Sequence, residues 1–522
     1  MKKSVKLFSA VLAGMLLASC TEKGYEVSEW VKSERDNYWQ IQDANVQLTA
    51  DSIVNVNIDL NQTAQTIDGF GTCFNELGWQ SLSALKDNEI SDIFAEMFQP
   101  GKGANFIMGR MGIGANDFAI DWYSFDETEG DFELKDFTID HDRATIIPMI
   151  KKAMEYYPDL KIWGSPWCPP RWMKKNGTYC ENPVTQEMVD QFNAFMAKRK
   201  EEAEKQIKPG EAGSVSATSG FFSQGPLAFR MERKVNDGIV GKEGHENVTS
   251  FIMEPEYLDA YARYFGKYVD AYRAEGINVF MVMPQNEMNS AQNFPSCCWT
   301  SEDLNTFVGK YLGPEMEKRG VDVYYGTVER PDPLKVDTLL NDPDSKKFIK
   351  GVSFQWAGKD ALPTIYKEHP DLKLVQSEQE CGNGLNNWEG ALHAWDLMKH
   401  YLGNGINSYF YWNTSLFDNV SSTWGWFQNS LVTVNKEDNS WTYTPDYYTL
   451  KHASHYVLPG AKYVNLGDQY NDMMAFVNTD GSVVVMAGNQ SEKVVSLQIN
   501  LEGKSHELKL SPESINTFVL KK

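Results

Sequence analysis

The stretch FMVMPQNEMNS, residues 280–290, is apolar for its first four residues and then reaches Asn286-Glu287. A strand buried on both faces gains nothing from an amide and a carboxylate unless its end opens onto something polar. Seven other apolar runs have the same form: TIDGFGTCF (66–74), NFIMGRMGIG (105–114), LKIWGSPWC (160–168), VDVYYGTVE (321–329), FIKGVSFQW (348–356), LKLVQSEQE (372–380) and INSYFYWN (406–413). Longer stretches with helical spacing separate them. Near-continuous apolar strands alternating with helices predict a parallel sheet covered on both faces. Eight such units are the number that closes a (β/α)8 TIM barrel, an α/β fold.

The intervening helices support this reading. In PEYLDAYARYFGKYVDAYRAEG (255–276), Leu258, Tyr261, Phe265, Tyr268, Val269 and Tyr272 form one apolar stripe, and Gly276 stands where a helix would end. WEGALHAWDLMKHYLGNG (388–405) behaves similarly. From about residue 459 to 522 the pattern changes to short strands split by turns such as Thr479-Asp480-Gly481, which predicts a side β-sandwich. The strand-like residues 45–65 have no helices between them and are expected to join it. The barrel is then expected over 66–458, with a Gly/Ser-rich insert at 205–250 between its third and fourth strands.

The N-terminus reads as a processing signal. Lys2, Lys3 and Lys6 precede the apolar stretch 7–17, and Leu17-Ala18-Ser19-Cys20 follows. A Cys directly after such a site resembles the bacterial lipobox, in which Cys20 is lipidated. The expectation is an exported lipoprotein anchored at the periplasmic or cell-surface face of a membrane, with residues 21–44 as a polar tether; plain secretion is the alternative. The chain has 522 residues, 13% of them aromatic, and a formal charge of −22. That charge argues against nucleic acid as a partner and leaves the lipid anchor as the membrane contact. Six further cysteines are compatible with disulfides in an exported chain, and sequence cannot choose their pairing. No HExxH or CxxC occurs, so neither a metal nor another cofactor is expected.

In a (β/α)8 barrel, chemistry gathers at the carboxyl ends of the strands. There the first strand delivers Asn75 and Glu76, the second Arg110 with Asn116 and Asp117 beyond, and the third Trp167. The fourth delivers Asn286 and Glu287, the sixth Gln355 and Trp356, the seventh Glu378 with Glu380 two residues on, and the eighth Trp412 and Asn413. Carboxylates and amides bind hydroxyls, and Trp rings cover the C–H face of a sugar. Two carboxylates flanking a glycosidic bond can cut it, one protonated and one ionised. Glu287 and Glu378 are the candidate pair, and Glu380 competes for the second position.

These residues sit in motifs that resemble glycoside hydrolase family 30, the glucosylceramidase family. DGFGTCFNE resembles the family's first strand. RMGIGANDF resembles its second, with Arg110 and the sugar-binding Asp117 in matching positions. GSPWCPPRWMKKNG resembles the loop that sets Trp167 against the sugar, and PQNEM carries the Asn-Glu pair of the acid/base. QSEQECG resembles the nucleophile strand, which ends in Ser/Thr-Glu. YWNTSL with WFQN resembles the closing strand and its loop, with Trp412 and Asn429 as substrate-binding residues. The resemblance implies a retaining β-glycosidase without cofactor, acting on β-glucosides with Glu378 as nucleophile and Glu287 as acid/base. Retention implies carboxyl groups about 5–5.5 Å apart. The sixth strand departs from the family's His-Trp-Tyr-like ending, reading Gln355-Trp356-Ala357, and the insert is longer than the family pattern. A β-1,6-glucanase or a β-xylosidase of the same chemistry is the first alternative. A non-catalytic glycan-binding surface lipoprotein is the remote one.

Overall fold

Eight parallel strands close into a barrel in chain order: Gly69–Phe74, Met108–Gly112, Lys161–Ser165, Asn278–Val282, Asp322–Val328, Ile349–Gln355, Lys373–Glu378 and Ser408–Tyr411. The computed structural model describes residues 24–42, 48–206, 220–221 and 230–522. Seven of the strands lie inside their apolar runs, and the fourth begins two residues before the stretch 280–290. The first strand shows why the sequence needs glycine there. A Cβ on Gly71 would lie 2.3 Å from the Met108 carbonyl oxygen and 2.7 Å from the Phe410 ring, so a side chain would force its neighbours apart.

The fourth strand is shorter than the apolar run suggests. Pairing stops at Val282, and Pro284, with no N–H, cannot extend the ladder. The chain stays aligned with the third strand through Met283 N to Gly164 O at 3.0 Å and Asn286 N to Pro166 O at 2.7 Å. Asn286 and Glu287 are thereby held at the barrel mouth without belonging to the sheet.

The helix Pro255–Ala274 buries all six residues of its expected stripe, starts on Pro255 and is followed by Gly276 at φ +84°. The helix Trp388–Gly403 starts at Asn387, whose side chain accepts from Gly390 N.

A sandwich packs beside the barrel. Its larger sheet has the order Asn37–Ile41, Glu26–Glu34, Ser514–Lys521, Val483–Asn489, Met473–Val477, Lys462–Val464, Thr63–Thr66. The smaller is Lys504–Leu510, Val495–Leu501, Ser52–Ile58. Strands from 45–65 therefore join it as expected. The tether expected at 21–44 is corrected: within the described residues, 26–34 and 37–41 are paired strands. Trp30 explains this. It is buried, its ring lies 5.3 Å from that of Phe518, and its Nε1 donates to Asn516 Oδ1 at 3.0 Å. Intervening charges such as Glu26, Glu29 and Lys32 hide the strand in a polar composition. Cys20 and its lipobox lie outside the described residues. The other six cysteines are buried free thiols. Of the insert, Arg230–Met231 pairs with Gly220–Phe221, and the chain returns to the barrel mouth.

Candidate active site

One nitrogen stands between the two candidate carboxylates. Gln355 Nε2 lies 3.1 Å from Glu287 Oε1 and 3.3 Å from Glu378 Oε2, and 3.2 Å from Asn286 Oδ1. The two acidic oxygens cannot be farther apart than the first two distances laid end to end. Both carboxyl groups therefore stand close enough to flank a single glycosidic bond.

Beneath them Arg110, fully buried, ties the barrel ends together. Its Nη1 donates to Glu378 Oε2 at 2.7 Å and to the Ser377 carbonyl at 3.0 Å. Its Nη2 donates to Asn286 Oδ1 at 2.6 Å and Ser165 Oγ at 3.2 Å. The guanidinium also lies over the rings of Trp163, Trp167 and Trp412, at 5.0, 4.6 and 5.2 Å. A planar, delocalised cation suits this mixture of acceptors and π faces, where an ammonium would not. Thr327, from the fifth strand, donates to Asn286 Oδ1 at 3.1 Å and accepts from Glu287 N at 2.9 Å. Glu287 and Trp356 both sit at φ 48°, a left-handed conformation that side chains other than glycine rarely adopt and that surrounding contacts must hold.

Above the pair opens a cavity of about 610 Å³. Asp117, Trp167, Asn286, Glu287, Trp356 and Glu378 line it. Arg110, Gln355 and Trp412 do not reach its surface. They support it from below, with Trp412 stacked under Trp167 at 5.2 Å. Trp412 is thus a platform for the Trp167 ring rather than a surface for sugar. Asn429 is not at the mouth, which corrects its expected place. Its Oδ1 accepts from Gly384 N and Asn386 N, so it folds the loop after the seventh strand. Glu380 is also elsewhere, paired with Lys359 at 2.8 Å and His393 at 3.1 Å. Asn75 caps the helix Glu76–Leu82 and donates to Asn413, while Glu76 turns to His141.

Several lining residues were not singled out from sequence. Glu329 and Arg330 end the fifth strand, and that apolar run does finish on a carboxylate as the fourth and seventh do. Met231 and Arg233 come from the insert, and Phe294, Trp424 and Trp426 from loops. The Trp426 ring lies 5.2 Å from that of Trp356 and 5.1 Å from that of Trp424, making an aromatic wall.

The environments push the two carboxyls differently. Burial, then the charges of Glu378 and Glu329, raise the pKa of Glu287 to about 8. Burial also raises that of Glu378, and the Arg110 charge and hydrogen bond hold the rise in check without cancelling it. At Glu380 burial is outweighed by His393 and Lys359, which hold its pKa below the usual range. The geometry thus offers one carboxyl suited to hold a proton and one suited to stay ionised, which is the division acid–base cleavage of a glycosidic bond requires.

Known proteins match this architecture along most of the chain. The family model described as the glycosyl hydrolase family 30 TIM-barrel domain matches residues 67–193 and 241–457, and that of the family 30 β-sandwich domain matches 460–518. Residues 194–240, which include most of the insert, fall outside the match. The Caenorhabditis elegans protein named "Putative glucosylceramidase 1" is 24% identical over 494 residues, 87% of this chain and 80% of that protein. The endo-1,6-β-D-glucanase neg1 of Aspergillus fumigatus is 24% identical over 482 residues, 87% of this chain and 85% of that protein. The solved structure of the endo-β1,6-glucanase BT3312 superposes with a TM-score of 0.71 at 19% identity, covering 94% of this chain and 99% of that one. The matched barrel and sandwich together span well over half the chain, which therefore belongs to glycosyl hydrolase family 30 and is a β-glycosidase.

Proposed function

We propose that Glu378 is the nucleophile and Glu287 the acid/base of a double displacement on β-glucosidic bonds. The observation that carries this is Gln355 Nε2 within hydrogen-bond reach of both carboxylates. In the first step Glu378 forms a bond to the anomeric carbon as the bond to the departing oxygen breaks. The proton on Glu287 passes to that oxygen. In the second step water adds to the anomeric carbon, gives its proton to Glu287, and releases Glu378. Gln355 donates to both carboxylates and does not itself ionise, so it holds them in place through both steps. Asn286, fixed by Arg110 and Thr327, faces the sugar beside the bond being broken.

The leaving group we infer is another sugar of a gluco-oligosaccharide or β-glucan. Around Glu287 the cavity wall combines Phe294, Trp424 and Trp426 with Asn182, Glu329 and Arg330. Rings flanked by charged and amide groups suit a polyhydroxylated chain with apolar faces better than a lipid tail. The β-1,6 linkage is the version supported by relatives named as endo-1,6-β-glucanases.

A 2-fluoroglucoside with an activated leaving group tests the nucleophile. Wild type and Glu380→Gln should form a covalent adduct that mass spectrometry maps to Glu378, and Glu378→Gln should form none. The reverse pattern would sink the assignment. A panel of β-1,6-, β-1,3- and β-1,4-gluco-oligosaccharides, glucosylceramide and aryl glycosides tests the substrate. Release of xylose alone would overturn the glucoside reading.

We further propose an exported lipoprotein anchored through Cys20, on the basis of Lys2, Lys3, Lys6, the apolar stretch 7–17 and Leu17-Ala18-Ser19-Cys20. Among the described residues no helix is long and apolar enough to cross a membrane. Incorporation of labelled fatty acid in wild type but not in Cys20→Ser is the expected result. Equal labelling would end this reading.

A further inference from the structure

The Glu287 turn is held by a third carboxylate. Glu329, at the end of the fifth strand, is 2% exposed and lines the same cavity. Its Oε1 accepts from Asn289 N at 3.0 Å and Ser290 Oγ at 3.2 Å, and Ser290 N donates to the Glu287 carbonyl at 3.0 Å. The turn whose first residue carries the left-handed φ is therefore clamped onto Glu329. The clamp is braced from outside. Asn247 N donates to Asn289 Oδ1 at 2.6 Å, Lys335 reaches Asn247 Oδ1 at 2.8 Å, and Arg330 pairs with Glu246.

A neutral acceptor would satisfy both donors at lower cost, since burying a carboxylate is expensive. The charge therefore calls for a use; burial lifts the Glu329 pKa to about 7, so that charge is carried on the alkaline side of neutrality. The titratable groups facing Glu287 are Glu378 from the seventh strand, Asp117 from the loop after the second, and Glu329 and Arg330 from the fifth; the sixth contributes the neutral Gln355. Facing Glu329 are Glu287, Arg330, Tyr325 and Cys298.

We propose that Glu329 is a positioning residue for the proton donor, fixing the 287–290 turn through its hydrogen bonds and keeping the proton on Glu287 through its negative charge. This rests on Glu287 being the acid/base. In the double displacement the first step needs Glu287 protonated. A second negative group beside it, in addition to Glu378, keeps it so to higher pH.

Two variants separate the charge from the clamp. Glu329→Gln keeps an acceptor oxygen of the same reach and removes the charge. The alkaline limb of its kcat/KM profile should move to lower pH by about one unit. Glu329→Ala removes both. Its loss should be about tenfold or more greater on a glucoside with a poor leaving group than on a dinitrophenyl glucoside, because only the former needs a well-placed proton. An unmoved limb in Glu329→Gln together with equal losses across leaving groups in Glu329→Ala would overturn the proposal. Glu287→Ala distinguishes the two layers. If it shows neither steep leaving-group dependence nor rescue by azide, the acid/base reading itself falls. If it shows both and the Glu329 variants behave as inert, only the present proposal falls.

Discussion

Arg110 and Glu378 meet at 2.7 Å, with the arginine wholly removed from solvent and the carboxylate nearly so. Breaking a buried ion pair by deleting one partner typically costs about 3–5 kcal/mol, because the other charge is left without compensation. Arg110→Met should therefore lower stability on that scale, and catalysis with it. The sign of the pH effect follows from the nucleophile. Arg110 pulls the Glu378 pKa down, so its loss raises that pKa and moves the acid limb of the kcat/KM profile toward neutral pH. Arg110→Lys should rescue little, since one ammonium cannot reach Glu378, Asn286 and Ser165 together. Denaturant unfolding and pH–rate profiles of both variants check this.

Asp142 predicts a stability decline on the alkaline side. It is fully buried and accepts from the hydroxyls of Tyr123 and Tyr272, and burial lifts its pKa to about 7. The folded value lies above the unfolded one, near 3.9. Its contribution is then fully present below the unfolded value and lost as pH rises through about 7. His452 works in the opposite direction. Burial lowers its pKa to about 3, so its contribution is present above about 6.5 and lost as pH falls. His452 offsets Asp142 over much of the same range, so the comparison with a variant by calorimetry is the readout: between about pH 4 and 7 the wild type should lose more Tm than Asp142→Asn.

The barrel was legible because a strand buried on both faces leaves an unbroken apolar run, and eight such runs alternating with helices are the number that a closed parallel barrel requires. The carboxylate pair was legible because polar residues at the ends of such runs stand out. Other parts of the site were not. Asn429 follows the eighth strand as Asn413 does, yet its side chain turns back into the loop at 383–386, and only the loop's path decides that. Arg330, Trp424 and Trp426 reach the cavity along loops with no periodicity. The hairpin at 26–41 was hidden because an edge of the sandwich tolerates Glu and Lys on its outer side, leaving Trp30 and Val31 as the buried signal.

Glu380 separates structure from chemistry two residues from the proposed nucleophile. Its partners are Lys359 and His393, and its carboxylate is absent from the cavity wall. Its folded pKa lies below the usual value, so its contribution is present above the unfolded pKa and lost as pH falls through the folded one. Glu380→Gln should lower Tm at pH 7 and by progressively less below pH 4. Its kcat on an aryl glucoside should stay far above that of Glu378→Gln, which should lose at least about 10³-fold. Equal collapse of both variants would place Glu380 in the chemistry.

Trp426 tests where the rest of the substrate lies. Its ring continues from Trp356 toward Trp424 along one wall of the cavity, and an isolated bridge ties its backbone to Met231 of the insert. A sugar bound beyond the cleaved bond would bury its C–H face on these rings, and each tenfold of affinity corresponds to about 1.4 kcal/mol. Trp426→Ala should therefore raise KM for gluco-oligosaccharides by roughly tenfold, with a smaller effect on aryl glucosides that do not extend so far. The ratio of the two losses is the informative quantity, because a general disturbance of the loop would lower both alike. If short and long substrates suffer equally, the wall serves the fold and the departing chain leaves by another route.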